Sequence, residues 1–333
     1  MKKVKTKDEV LKILKEAGDN FVSGEEIAGR VFVTRAGVWK AIKALERDGL
    51  EIEAVTNRGY RIKPLEDRID AGWIESELKE AGKDIRVFYY DEVDSTNNVV
   101  ANLGHEYEGI LLAIAGKQTK GRGRRGRDFY SPKDTGIYMS LLIRTGASLD
   151  ELEGLTATAA VAVSKAIDEV VFDGKDVAKI KWVNDVYIDE RKISGIITEL
   201  TTNLEDTGLH NIVMGIGINV LAPNGGFPED INKKAGSLEM VGGRLESGVR
   251  NHIIAASISN LFDYFKNRAE TLSIYRAKSN LIGNYVKINN FSESTRENYA
   301  RVTGISENYG LEVVYDDGRA EVLSSGEVSV VKY

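Results

Sequence analysis

Arginine and glycine alternate in one short segment, Gly121-Arg-Gly-Arg-Arg-Gly-Arg127. Glycines let backbone N–H groups come close to an anion, and the arginines supply positive charge. The segment contains G-x-G-x-x-G, the dinucleotide-binding fingerprint, but that motif must open a helix. Pro132 and Gly136 follow too soon for a helix, so the Rossmann interpretation fails. The segment therefore indicates a phosphate-binding loop, with a solvated basic loop or a second nucleic-acid contact as the alternative.

A second polar cluster occupies a predicted strand over Ala178 to Ile188. Side chains alternate along a strand. The predicted faces are Lys181, Val183 and Asp185 on one side and Trp182 and Asn184 on the other.

The chain then passes through a polar turn, Asp189-Glu-Arg191, so Lys192 should begin a returning strand beside the end of the first. The hairpin would bring together the carboxylate of Asp185, the amide of Asn184 and the ammonium of Lys192. Such groups suit an anion or metal–phosphate site, and Gly195 would let a ligand approach closely. The alternative is a charged hairpin with ordinary turn residues.

Two weaker motifs complete the set. Gly215-Ile-Gly-Ile-Asn219 reads as a strand end where two glycines leave room and Asn219 offers a donor and an acceptor. Asp94-Ser-Thr-Asn97 opens a predicted helix with two hydroxyls, which could serve a ligand or only cap the helix.

Alternating helices and strands must position these motifs from about residue 70 onward. The predicted strands are Arg86–Tyr90, Ile110–Ala115, Ile137–Ile143, Ala178–Ile188, Ile193–Leu200 and Ile212–Asn219. The predicted helices are Thr96–Leu103 and an Ala-rich helix that a capping box at Ser148 and Glu151 opens and that runs to about Val170. This order predicts a mixed sheet backed by helices.

The N-terminal 65 residues have the element order of a winged helix-turn-helix. The predicted elements are a helix over Asp8–Ala17 ended by Gly18, a short helix that Ser23 and Glu26 open, a helix over Arg35–Asp48 that Thr34 caps and Gly49 ends, and a hairpin of Glu51–Val55 and Gly59–Ile62. The apolar stripe of the third helix is Val38, Trp39, Ile42 and Leu45.

Cations dominate the other face of that third helix, so DNA is the expected partner of this module. Hydroxyls and cations at a helix start suit phosphate and base-edge contacts in a major groove, and a hairpin tip can act as a wing. The candidate DNA contacts are Thr34, Arg35, Trp39, Lys40, Lys43 and Arg58. A protein-interaction domain with a solvated cationic face is the alternative.

Prolines and turn residues mark the outer boundaries. Lys63-Pro-Leu-Glu-Asp-Arg68 reads as a linker, since proline blocks further strand pairing. From Gly283 the chain has five short predicted strands, with a hairpin turn at Asp316-Asp-Gly318. The predicted domains are 1–65, 66–282 and 283–333, the last a small SH3-like β-barrel.

Composition excludes several classes of chemistry. The 333 residues contain no cysteine and three histidines, which argues against disulfides, thiolate catalysis and Cys- or His-built metal sites. No signal peptide or membrane span is predicted, so a cytoplasmic protein without membrane attachment is expected. The net charge of −6 divides into +3 over residues 1–66, which hold 14 basic and 11 acidic side chains, and −9 over the rest.

The motifs, in their order along the chain, resemble those of biotin–protein ligases. With the N-terminal helix-turn-helix, the whole chain resembles the bifunctional bacterial form, a ligase that also represses the biotin operon. The resemblance implies a central class II synthetase-like biotin/lipoate ligase fold. It also implies that biotin reacts with Mg-ATP to give biotinyl-5′-adenylate and is then passed to a lysine of a biotin carboxyl carrier protein. The implied substrates are ATP and biotin, with Mg²⁺.

The resemblance also implies roles for individual residues. The implied biotin-binding residues are Ser95, Thr96, Gln118, Gly121, Arg122, Arg124 and Lys192. The implied ATP-binding residues are Arg124, Arg127, Phe129, Asn184 and Asn219. Lys192, Arg122 and Asp185 are the implied residues of the reaction itself. No metal ligand is assigned.

Two positions depart from the family pattern. Val183 stands where the Lys-Trp-Pro-Asn-Asp form of the motif has proline, and we expect altered rigidity and not lost function. Phe129 replaces a commoner tryptophan, which keeps stacking and removes an indole N–H. The leading hypothesis is a ligase that dimerises on an operator. Its rivals are a ligand-sensing transcription factor without ligase activity and a ligase without repressor activity.

Overall fold

The computed structural model describes residues 6–18, 20–47, 50, 52–56, 58–62, 68–145, 154–202, 210–289, 298–324 and 326–331. The chain packs as two compact units, residues 1–66 and 67–333. Several predicted features lie outside the described residues: Asp48, Gly49, Glu51, the linker over 63–67, and the capping box at Ser148 and Glu151. No helix among the described segments is long and apolar enough to cross a membrane.

The N-terminal unit contains three helices and a two-stranded hairpin. They are α1 (Thr6–Ala17), α2 (Gly24–Val31), α3 (Arg35–Arg47), β1 (Ile52–Val55) and β2 (Gly59–Ile62). Ser23 caps α2 by accepting a hydrogen bond from Glu26 N–H, and Thr34 caps α3 by accepting one from Gly37 N–H. Caps of this kind satisfy backbone donors that have no partner within the helix. The predicted elements are therefore present in the predicted order.

The core of this unit corrects one prediction. Val38, Ile42 and Leu45 of α3 are buried, but Trp39 is 53% exposed and Ala41 takes the fourth buried position. At helical spacing, either Trp39 or Ala41 can be the fourth member of the buried stripe. The smaller alanine takes that position here, which leaves the Trp39 indole at the surface.

The second unit begins with a seven-stranded mixed sheet and its helices. The strands are β3 (Ile85–Tyr90), β4 (Ile110–Ala115), β5 (Gly136–Thr145), β6 (Lys179–Lys181), β7 (Asp185–Ile188), β8 (Arg191–Thr202) and β9 (His210–Asn219). The helices are α4 (Ala71–Glu80), α5 (Thr96–Glu106), α6 (Leu155–Val171), α7 (Val249–Lys266) and α8 (Arg268–Lys278). The strand order is β3-β4-β5-β9-β8-β7-β6, parallel only between β3 and β4.

The core lies between this sheet and the α6–α7 layer. Helix α6 is rich in alanine and almost entirely buried, so it packs closely against its neighbours. A buried cation ties three parts of the unit together. Lys278 Nζ of α8 contacts Asp168 of α6 and donates to Asp176 Oδ1 at 2.7 Å and to the Ala178 carbonyl at 3.0 Å. These bonds fix the segment that leads into β6.

The predicted strand over Ala178–Ile188 is wrong at its centre. Residues 182–184 form a turn between β6 and β7, and Lys181 pairs with Asp185 across it. The Trp182 indole N–H donates to the Tyr309 carbonyl, and the Tyr275 hydroxyl donates to the Val183 carbonyl. Both partners are distant in sequence, so local alternation could not reveal the turn.

The chain ends in a five-stranded antiparallel sheet. Its strands are β10 (Tyr285–Asn289), β11 (Asn298–Ile305), β12 (Leu311–Tyr315), β13 (Ala320–Leu323) and β14 (Glu327–Val330). Their order is β13-β12-β11-β10-β14, and the described residues contain no pairing of β13 with β14 that would close a barrel. A C-terminal sheet is thus present as an open sheet.

Candidate active site

A small polar pocket of about 20 Å³ lies beside the start of α5. Ser95 caps this helix by accepting a hydrogen bond from Asn97 N–H at 3.3 Å. Thr96 N–H donates to Gln118 Oε1 at 2.8 Å, and Gln118 Nε2 donates to Ser131 Oγ at 3.0 Å. The pocket is therefore lined by polar groups whose orientations are fixed by other polar groups.

Two glycines of β9 make space for this pocket. A Cβ on Gly215 would lie 2.5 Å from Asn97 Oδ1, and a Cβ on Gly217 would lie 2.5 Å from the Phe129 ring. Neither distance is tolerated by non-bonded carbon atoms. The sequence motif Gly215-x-Gly217 thus serves close approach, of an amide at one position and an aromatic ring at the other.

The glycine- and arginine-rich segment is a folded loop, not a helix. Gly123 N–H donates to the Arg127 carbonyl at 2.7 Å, and Phe129 N–H donates to the Gly121 carbonyl at 2.9 Å. Only a single 3₁₀ turn, Arg124–Gly126, lies within it. Arg124 Nη1 donates to Asn184 Oδ1 at 3.0 Å, which connects this loop to the β6–β7 turn.

A larger cavity of about 420 Å³ lies between that loop and the β6–β7–β8 strands. Lys192 Nζ and Asp185 Oδ1 form an ion pair of 2.6 Å at its wall, with both side chains partly exposed. Asn184 Nδ2 donates to the Ile196 carbonyl at 2.6 Å, and Asn219 Nδ2 donates to the Gly236 carbonyl at 2.9 Å. The cavity thus combines fixed amides with accessible charge.

The sequence-predicted residues divide between the two cavities. The larger one is lined by Arg122, Arg124, Arg127, Phe129, Asn184, Asp185, Lys192 and Asn219. The smaller one is lined by Ser95, Thr96 and Gln118, together with Arg122 and Phe129, which line both. Gly121 lines neither, but its backbone closes the loop onto Phe129. The two cavities are therefore adjacent, with Arg122 and Phe129 at their border.

Several residues that line the larger cavity were not predicted from the sequence. They come from a segment after β9 and from β14: Phe227, Asp230, Ile231, Lys234, Val328 and Ser329. The aromatic ring of Phe227 meets that of Tyr130 with a centroid separation of 6.4 Å. No motif marks these residues, because only the tertiary fold brings them to the site.

Three titratable groups near the cavities have perturbed pKa values. Burial raises the pKa of Tyr187 and the pKa of Tyr275, so both phenols remain neutral, and Tyr275 donates to the Val183 carbonyl. The hydrogen bond from the Asn98 amide to Asp94 holds the pKa of this carboxyl below its usual range. Asp94 therefore stays ionised before the start of α5.

The candidate DNA contacts lie at the surface of the N-terminal unit. Thr34, Arg35, Trp39, Lys40, Lys43 and Arg58 are all exposed. Arg35 pairs with Glu25 at 2.8 Å, Lys43 pairs with Glu46 at 2.7 Å, and the Arg58 guanidinium lies over the Phe21 ring. A cationic helix and a cationic hairpin tip are thus available to a polyanion.

Two family matches cover separate parts of the chain. Residues 89–219 match the Biotin/lipoate A/B protein ligase family, and residues 6–61 match an HTH domain. Together they cover part of each unit and include the four motifs that the sequence offers for the two cavities.

Individual proteins extend the similarity. The bifunctional ligase/repressor BirA of Bacillus subtilis is 34% identical over 260 residues, which is 77% of this chain and 78% of that protein. BirA of Escherichia coli is 30% identical over 204 residues, 61% of each chain. The structure of a biotin protein ligase from Aquifex aeolicus in complex with biotin and ATP superposes with a TM-score of 0.58 at 27% identity, covering 74% of this chain and 99% of that one.

Proposed function

This chain belongs to the biotin protein ligase family, of the bifunctional ligase/repressor type, and we propose that it uses ATP to attach biotin to a lysine of a biotin carboxyl carrier protein. Biotinyl-5′-adenylate is the intermediate. The observation that carries this function is the adjacency of a small, rigid polar pocket and a larger cationic cavity that share Arg122 and Phe129. The two linings match the chemistry of a molecule with a polar head and an anionic tail.

In the proposed arrangement, the small pocket holds the ureido ring of biotin. Ser95, Thr96 and Gln118 supply oxygen and nitrogen atoms whose positions are set by hydrogen bonds. The valeryl carboxylate then points past Arg122 into the larger cavity. Fixed polar groups bind without reorganising, which favours a single orientation of the substrate.

The larger cavity brings the carboxylate against the α-phosphate of ATP. A carboxylate oxygen attacks phosphorus, the bond to the bridging oxygen breaks, and pyrophosphate leaves. Both reactants are anions, so their approach is opposed by repulsion that nearby cations offset. Arg122 and Lys192 line this cavity, and we assign this role to them. We assign binding of the nucleotide to Arg124, Arg127, Phe129, Asn184 and Asn219. The glycine- and arginine-rich loop, residues 121–127 (the arginine loop), would close over the acyl-adenylate and protect it from water.

Mg²⁺ fits this cavity as a companion of ATP and not as a resident ion. The described residues contain no group of three His, Asp or Glu side chains that could hold a metal. Mg²⁺ commonly takes one or two carboxylates together with phosphate oxygens and water, and it neutralises phosphate charge. Asp128, Asp185 and Asp230 line the cavity and could contribute such a carboxylate.

The second step transfers biotin from the adenylate to the lysine amine of the carrier protein, with AMP as the leaving group. The amine must lose a proton to become a nucleophile. Asp185 is our candidate to orient the amine or accept that proton, since its carboxylate borders the cavity beside Lys192.

The ligase proposal is tested by incorporation of labelled biotin into a purified carrier protein. Label should appear only when ATP is present, with release of one pyrophosphate per biotin. A chain that neither binds biotin nor releases pyrophosphate with biotin would contradict the assignment.

We further propose that the N-terminal unit binds an operator and represses transcription in response to biotin. The chain would bind as a homodimer, and the C-terminal sheet would complete an SH3-like domain over residues 283–333. A cytoplasmic location suits a protein that meets both DNA and a carrier protein. Binding to operator DNA should tighten when biotin and ATP are added together. Lys40→Ala should weaken it most at low salt and make it less sensitive to salt, because a lysine that contacts phosphate contributes through counterion release. Unchanged DNA binding on adding both substrates would favour a ligase without repressor activity.

A further inference from the structure

The β1–β2 hairpin is held, close to its tip, against a segment that no sequence motif marks. Val22, between α1 and α2, exchanges two backbone hydrogen bonds of 2.8 Å with Tyr60 of β2. Gly59 permits this contact, because a Cβ at that position would lie 2.1 Å from the Val22 carbonyl oxygen. The hairpin is therefore fixed to the helices of the N-terminal unit.

Phe21 supplies an aromatic surface beside that contact. Since Val22 pairs with Tyr60 in antiparallel register, Phe21 lies opposite Arg61. The guanidinium carbon of Arg61 lies 4.4 Å from the centroid of the Phe21 ring, and that of Arg58 lies 4.3 Å from the same centroid. Both separations are within the range of a cation–π interaction. One ring thus contacts two cations.

The two arginines differ in their acidic partners. Arg61 pairs with Glu53 across the hairpin, with Nη2 at 2.7 Å and Nε at 2.8 Å from Glu53 Oε2. Arg58 is exposed at the hairpin tip, and within the described part of the chain no acidic side chain pairs with it. Two cations close together on a surface repel each other, and an anion bound to Arg58 would offset that repulsion. The Phe21 ring therefore holds a cation that is available to a polyanion.

The Phe21 ring is not part of the hydrophobic core. The core that the described residues of this unit form includes Val22 and leaves out Phe21, whose side chain is partly exposed. The contacts that the structure shows for the ring are those with the two guanidinium groups. A substitution that keeps this position apolar should therefore leave the unit folded.

We propose that Phe21 is a positioning residue for DNA binding: its ring holds the Arg58 guanidinium at the hairpin tip, ready to contact a backbone phosphate. An arginine side chain loses rotamer freedom when it binds, and a side chain that is already held loses less. The ring therefore raises the affinity for DNA without adding charge. This inference rests on the proposed DNA binding by the N-terminal unit.

The test measures the fluorescence anisotropy of a labelled DNA duplex of mixed sequence, titrated with the full chain in the presence of biotin and ATP. Phe21→Leu removes the ring and keeps an apolar side chain, so we expect the Kd for this duplex to rise by about 3- to 10-fold, the cost of ordering one free side chain. Phe21→Tyr keeps an aromatic face and should stay within about 2-fold of the parent. Phe265→Leu is the remote control, because Phe265 lies in α7 of the other unit. It should leave this Kd unchanged.

A double variant separates this role from a purely structural one. Arg58→Ala should weaken binding and reduce the slope of log affinity against log salt concentration by about 0.9, because one phosphate contact is lost. Phe21→Leu should keep the slope of the parent, since its arginine still reaches the phosphate. In the Arg58→Ala background, Phe21→Leu should change the Kd by less than about 2-fold, because no arginine remains at the tip for the ring to position. Thermal unfolding without DNA checks that each variant is folded.

Two results would overturn the proposal: a Kd for Phe21→Leu equal to that of the parent, or an equal loss of affinity when Phe21→Leu is added to Arg58→Ala. A parent chain that does not bind the duplex would instead contradict the proposed DNA binding itself, and the two failures are thus distinct.

Discussion

The two cavities differ in how their polar groups are held. In the small pocket, hydroxyls and amides are buried and fixed by each other, and Asn97 Nδ2 donates to the carboxyl group of Glu199 behind them. In the larger cavity, charged side chains such as Lys192 and Asp185 are partly exposed and paired with each other. The first can discriminate by hydrogen-bond direction, and the second can attract and release a highly charged nucleotide. We therefore propose that the recognition of biotin and its activation are separate tasks of the two adjacent cavities.

The largest expected effect is the loss of the cation in the larger cavity. Lys192→Ala removes the charge proposed to offset repulsion between carboxylate and phosphate and leaves Asp185 unpaired. We expect biotin-dependent pyrophosphate release to fall by about 1,000-fold, typical of removing a group that stabilises a transition state. Biotin Kd should change far less.

Lys179→Ala is the control for that experiment, because Lys179 pairs with Asp176 at 2.6 Å and does not line the cavity. Its rate of pyrophosphate release should match the parent. Normal adenylate synthesis by Lys192→Ala would break the proposed division of labour.

A substitution that fills the small pocket should weaken the binding of biotin and leave the binding of ATP unchanged. Gly215→Ala places a methyl group against Asn97 Oδ1. Overpacking of this kind costs about 1–3 kcal/mol, so biotin Kd should rise by about 10- to 100-fold while the affinity for ATP stays constant. Gly29→Ala, where a Cβ meets no atom within 4 Å, should leave titrations with both substrates unchanged.

Arg124→Gln tests the link between the arginine loop and the β6–β7 turn. It removes the 3.0 Å hydrogen bond to Asn184. Hydrogen bonds to charged groups contribute about 1.5–3 kcal/mol, and we expect the KM for ATP to rise at least about 10-fold. Steady-state kinetics with each substrate varied would show whether the KM for biotin follows. An equal rise in both would indicate that the cavities act as one.

The smallest effect should come from the support behind the turn. Tyr275→Phe removes the 3.1 Å hydrogen bond to the Val183 carbonyl and leaves the ring in place. Denaturant unfolding should give a free energy lower by about 1 kcal/mol, the usual worth of one such bond. Tyr264→Phe is the control, because Tyr264 of α7 lines neither cavity. A larger change in the KM for ATP with Tyr275→Phe than with Tyr264→Phe would show that the turn serves the nucleotide.

The sequence predicted the residues that line the larger, charged cavity far better than the polar residues that contact one another beneath the small pocket. Arg122, Lys192 and Asn184 stand in compact motifs whose residue types predict an anion site, and all three line the larger cavity. Ser140 and Glu199 sit singly within predicted strands, Ile137–Ile143 and Ile193–Leu200, where one polar side chain carries no signal. Only the pairing of β5, β9 and β8 brings both residues to the Asn97 side chain, which accepts from Ser140 Oγ at 2.6 Å and donates to Glu199 Oε2 at 3.0 Å. Strand Ile110–Ala115 was predictable because a continuous apolar run is typical of a buried strand.

Long-range bonds account for the main error in the fold. The turn at residues 182–184 depends on Tyr275 and Tyr309, about 90 or more positions away. The exposure of Trp39 likewise depends on tertiary packing, because the neighbouring helices determine which side chains of α3 are buried. In both cases local periodicity was correct as a pattern and was overruled by tertiary contacts.

The hydrogen bond from the Trp182 indole to the Tyr309 carbonyl determines how this protein can be dissected. A chain cut before residue 283 would lose the carbonyl that holds Trp182 in the wall of the larger cavity, even though no proposed contact with biotin would be removed. The N-terminal unit has a hydrophobic core of its own. This unit could therefore be replaced by another DNA-binding domain. The C-terminal sheet, by contrast, must be kept together with the catalytic domain in any truncated or fusion protein.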